Sequence, residues 1–135
     1  MHAELKRLHS PDVPDLKNYS PEQPDIFGFL LQLIIGPADQ AGEESFDVIV
    51  CTPEWLKQRY ANRIVLGENH LIVPRFDYAQ IEKFVSDFIK RCNGQTWNEI
   101  AQKLCRLGKW EFEDYSDVPS FSQSQIQADG KENLE

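Results

Sequence analysis

The chain predicts an α+β domain: a mostly antiparallel sheet covered on one face by two amphipathic helices. Three observations lead there. Short apolar runs separated by turn residues fill the first half. Two apolar stripes at helical spacing, each opened by a capping residue, follow in the second half, and a last aromatic run returns to strand alternation.

Residues 3–10 alternate loosely and predict a short edge strand. Pro11, Pro14, Pro21 and Pro24, interleaved with Asp12, Asp15, Glu22 and Asp25, exclude helix and sheet interior, so an ordered loop is expected. Residues 26–35 are apolar on both parities, which predicts a central strand buried on both faces. The turn-rich residues 36–42 lead into residues 43–51, where Phe46, Val48 and Val50 share one parity. These two strands form an antiparallel hairpin with a longish acidic loop.

Thr52, Pro53 and Glu54 open a short helix ending near residue 60. The threonine can cap, the proline suits the first helical position, and the carboxylate suits the positive end of the helix dipole. Residues 70–74 predict another brief strand. Asp77 with Gln80 then starts the strongest helix, whose stripe is Tyr78, Ile81, Phe84, Val85, Phe88, Ile89 and Cys92. Asn93 and Gly94 end it. Thr96 with Glu99 starts a second helix, with Trp97, Ile100, Ala101, Leu104 and Leu107 on its apolar face, and Gly108 stops it. Residues 110–113 close as a strand that turns Trp110 and Phe112 inward and displays Glu111 and Glu113. Residues 1–115 make the single domain. Residues 116–135, rich in Ser, Gln, Asp and Glu, make an acidic polar tail predicted to be disordered.

Composition narrows the function. The 41% hydrophobic and 11% aromatic content is that of a globular domain. With 14 Lys and Arg against 22 Asp and Glu, the net charge of −8 argues against nucleic-acid and anionic-membrane partners, which select clustered cations. It is compatible with a basic protein partner, but on charge alone plain solubility is the first reading. Cys51, Cys92 and Cys105 are too few, and odd in number, for a secreted disulfide scaffold. The first residues lack a signal-peptide run, and the longest apolar stretch, residues 29–35, is interrupted by Gln32 and too short to span a bilayer. A cytoplasmic location is the expectation.

No catalytic constellation rises above background. No cysteine pair has C-x-x-C spacing, no glycine-rich phosphate loop or G-x-S-x-G elbow is present, and His2, His9 and His70 lack metal-ligand spacing. Cys51 is the better nucleophile candidate because it precedes a helix N-terminus, yet it reads first as a buried strand end. The expectation is no enzyme, no cofactor and no metal.

Three ordered blocks carry a family likeness: residues 3–12 (AELKRLHSPD), residues 44–56 (ESFDVIVCTPEWL), and the segment from Thr96 and Trp97 through residues 110–115 (WEFEDY). Together they resemble the immunity protein 8 family, bacterial proteins encoded beside polymorphic or contact-dependent toxins. The likeness covers residues 1 to about 115. It implies an antidote that binds and neutralises the C-terminal domain of a cognate toxin, in contact-dependent growth inhibition among other settings. Many such toxins are nucleases, whose basic substrate surfaces an acidic inhibitor can occupy. No contact residue transfers with the likeness. Charge nominates Glu111, Glu113 and Asp114, with Tyr115 as the amphipathic ring those carboxylates surround, and Asp39, Glu43 and Glu44 as a second patch. The alternatives are an acidic interaction module without a toxin, or a small enzyme using Cys51.

Overall fold

A computed structural model describes residues 1–112. The predicted tail, and with it Glu113, Asp114 and Tyr115, lies outside the described residues. Five strands form the sheet among them: β1 (Ala3–His9), β2 (Gly28–Pro37), β3 (Glu44–Cys51), β4 (His70–Ile72) and β5 (Lys109–Trp110). The helices are α1 (Pro53–Arg59), α2 (Tyr78–Lys90) and α3 (Trp97–Leu104). The order β1-β2-β3-β4 is antiparallel until its last pair, where β4 runs parallel to the end of β3. Strand β5 pairs antiparallel with the start of the same β3 edge, so two short strands share one long neighbour.

The loose alternation of β1 has a local cause. The register shifts between Leu5 and Arg7, leaving Lys6 as the extra residue of a bulge. Ala3 and Leu5 oppose Pro37 and Ile35. After the bulge Leu8 opposes Leu33, so all three stay on the core face while Arg7 and His9 turn away. Without the extra residue, Arg7 would point into the core.

Strand β2 departs from the sequence expectation. Phe29, Leu31, Leu33 and Ile35 are buried opposite Val50, Val48, Phe46 and Glu44, but Leu30, Gln32 and Ile34 on the other face are only half-buried. The reason is the helix distribution. The helices α2 and α3 bury Ile81, Val85, Ile89, Ile100, Ala101 and Leu104 in the core shared with the first face. Among the described residues the second face receives only α1, at one end. There the Trp55 ring lies so close to Gly28 that an added Cβ would sit 2.2 Å from it. An apolar run on both parities therefore marks one full face and one partly clad face.

Each predicted cap is formed. Thr52 accepts a hydrogen bond from Trp55 N–H, Asp77 from Gln80 N–H, and Thr96 from Glu99 N–H. Thr52, itself buried, also accepts from Phe27 N–H at 3.3 Å and so ties α1 to the entry of β2. The proline-rich segment is ordered from within. Ser10 Oγ accepts from the N–H groups of Asp12 and Val13, Asp12 accepts from Leu30 N–H beyond the end of β1, and Tyr19 meets Phe27, Phe29 and Phe76 edge-on.

Two aromatic assignments change. Phe84, predicted on the α2 stripe, is 53% exposed, because the stripe is wider than the surface available to receive it. Phe112 is not an inward strand residue. Strand β5 stops at Trp110, and Phe112 lies in the turn beyond, 42% exposed and edge-on to Trp110.

Candidate functional site

The fold places Glu111 at the same end of the sheet as the acidic β2–β3 turn with Asp39, Glu43 and Glu44. Phe46 pairs with Trp110 and Asp47 with Lys109, so the chain leaving β5 runs back alongside the β2–β3 turn. Glu111 is fixed there twice: its N–H donates to Ser45 O at 3.1 Å, and its Oε1 accepts from Ser45 N–H at 2.8 Å. Ser45 directly follows Glu43 and Glu44. Glu111 therefore stands beside them, although the residues are more than sixty positions apart in sequence.

The carboxylates in this corner have different duties. Asp39 and Glu43 are exposed, and Glu43 pairs with Arg7 across the sheet end at 2.9 Å. Glu44 faces the other way. Its Oε1 accepts from both indole N–H groups, Trp97 at 2.7 Å and Trp110 at 2.9 Å. One carboxylate oxygen thus joins β3, β5 and the start of α3. A buried indole N–H needs an acceptor, and an anionic one makes the stronger bond. Sequence reasoning did not find this role. The faint signal for it was two tryptophans flanking a predicted helix, with no polar partner assigned to either.

The turn itself is tightly made. A Cβ on Gly36 would lie 1.9 Å from Gly42 O, so only glycine permits this return of the chain. Pro37, Ala41, Gly42, Glu43, Glu44 and Trp97 enclose a small recess of about 140 Å³ with Gly36. It offers a shallow notch at the acidic corner.

The alternative catalytic reading gains nothing from the geometry. Burial pushes the Cys51 thiol up to about 11, opposite to the shift a nucleophile needs. His2 contacts Asn93, whereas His70 Nδ1 lies 2.6 Å from Glu68 O with its Nε2 toward Tyr60 OH. Among the described residues no group of His, Cys, Asp and Glu could hold a metal ion. None of their helices is long and apolar enough to cross a membrane.

Comparison with known proteins is consistent with a binding role. The family model described as Immunity protein 8 matches residues 3–115, which includes every described strand and helix. No curated protein and no solved structure gives a match.

Proposed function

The chain belongs to the Immunity protein 8 family, and from that premise we propose that it neutralises a cognate nuclease toxin in the cytoplasm by stoichiometric occlusion. Membership carries the toxin-binding role. The nuclease reading rests on one observation: folding joins the β2–β3 turn and the end of β5 into a single acidic corner. A nuclease presents cations to phosphate, and carboxylates at this corner meet the same cations.

Asp39, Glu43 and Glu111 contribute charge to that surface, and Glu113, Asp114 and Tyr115 continue the chain directly from it. Glu44 supports the corner from behind. Opposite charge accelerates encounter and rejects wrong partners, while affinity comes from desolvated anchors within the contact. Speed matters because each free nuclease molecule cuts until it is captured.

The test is charge reversal at Asp39, Glu43, Glu113 and Asp114, leaving Glu44 and Glu111 to hold the fold. Association with the cognate toxin should slow by about 10- to 100-fold at low salt, and its salt dependence should flatten. An unchanged rate and salt slope would remove this corner as the interface.

A further inference from the structure

We propose that the recess between the end of α2 and the last turn of α3 binds a small phosphate-type anion. It is lined by Phe88, Arg91, Cys92, Lys103 and Arg106 and encloses about 290 Å³. Three cations thus share one concavity with no carboxylate on its walls among the described residues, in a chain of net charge −8.

The three are not committed to acidic partners. Among the described residues neither Arg91 nor Arg106 makes an ion pair, and the Lys103 ammonium donates to a neutral carbonyl, Asn93 O. Asp87, one turn before Arg91, is bonded to Lys83 at 2.8 Å and attracts Arg91 only through space. Cys92 reports how the charges converge. Burial pushes its thiol up, while Arg106, Lys103 and Arg91 all pull against that shift.

Chemistry then selects the occupant. Two guanidinium forks and an ammonium match the tetrahedral oxygens and double charge of a phosphate group better than a single halide. The C-terminal carbonyls of α2 and α3 attract cations to this place and also weaken anion binding, which sets affinity in the millimolar range. A long polyanion is repelled by the excess carboxylates elsewhere on the chain. The occupant is therefore inorganic phosphate or a small phosphomonoester, and the site is independent of any toxin.

The experiment uses the full chain, isotope-labelled for amide NMR at low ionic strength, titrated with inorganic phosphate and separately with sodium chloride at matched ionic strength. Phosphate should give saturable shifts centred on Arg91, Cys92, Lys103 and Arg106, with a Kd on the order of 1 mM, and chloride should not. Adenosine monophosphate provides the second arm. Tighter binding than phosphate assigns the site to monoesters, and weaker binding assigns it to the free ion. The pair Arg91→Gln and Arg106→Gln should raise Kd at least tenfold, whereas Lys109→Gln should leave it unchanged. Shifts that do not saturate, or that spread over all surface cations, overturn the proposal. So does a single-stranded oligonucleotide binding more tightly than phosphate. The wild-type titration decides the matter even if the double variant fails to fold.

Discussion

At the scale of single residues, two side chains do work that their type alone does not announce. Glu44 is an acid on an acidic edge, yet its Oε1 serves two indoles at once. Glu44→Ala leaves both N–H groups without this acceptor, and the expected loss is about 2–3 kcal/mol in urea unfolding. Glu44→Gln keeps an amide oxygen and should lose less than half of that. Cys51 ends β3 fully buried, and its thiol rises from 9.0 to about 11. Folding therefore holds the thiol protonated where the unfolded chain would release it. That contribution is complete below pH 9.0 and is lost as pH rises toward about 11. At pH 8 the native thiol should alkylate about 100-fold more slowly than the unfolded one on thiolate fraction alone. Cys51→Ala should retain full toxin protection, since the proposed occlusion needs no nucleophile.

At the scale of elements, caps and stripes decide where helices begin and which faces they bury. Thr52 closes the first turn of α1 and also accepts from Phe27 N–H at the entry of β2. Thr52→Ala should cost about 1–2 kcal/mol, more than an isolated cap, because a buried strand donor is stranded with it. Helix α2 gives an internal contrast between neighbours. Ile89 is fully buried and Phe84 is 53% exposed, although both sit on the predicted stripe. Ile89→Ala should cost about 2–5 kcal/mol, whereas Phe84→Ala should change stability by less than 1 kcal/mol. Equal losses by denaturant titration would contradict the placement of α2. The bulge at Lys6 belongs to this scale too, because it rescues the inward parity of β1 across a one-residue excess.

At the scale of the whole molecule, charge is distributed unevenly among the described residues. Asp39, Glu43, Glu44 and Glu111 gather at the β2–β3 turn and the end of β5, with Arg7 paired to Glu43 among them, and Arg91, Lys103 and Arg106 line the recess between α2 and α3. Toxin association should therefore slow steeply as salt rises from low values toward 0.15 M, while dissociation, set by buried anchors, changes little. Stopped-flow measurement of both rates checks this. Much of the architecture was legible in the linear pattern, for physical reasons that operate within a few residues. Phe46, Val48 and Val50 declare a strand by parity. Thr52, Asp77 and Thr96 declare helix starts because their oxygens reach the third amide ahead. The α+β class and the hairpin follow from those local rules, and the three ordered blocks carry the family. What local rules cannot contain is pairing between distant segments. That β4 and β5 divide one edge of β3, that Phe112 falls outside a two-residue strand, and that α1 clads only the end of the second face are outcomes of packing. The same pairing set Glu111 beside the β2–β3 turn and drew Glu44 inward to the tryptophans. The sequence by itself determined the elements, the class and the acidity. Only the tertiary structure decided which carboxylates stay exposed at the corner and which hold the fold, because a carboxylate takes its role from the donors that folding brings to it.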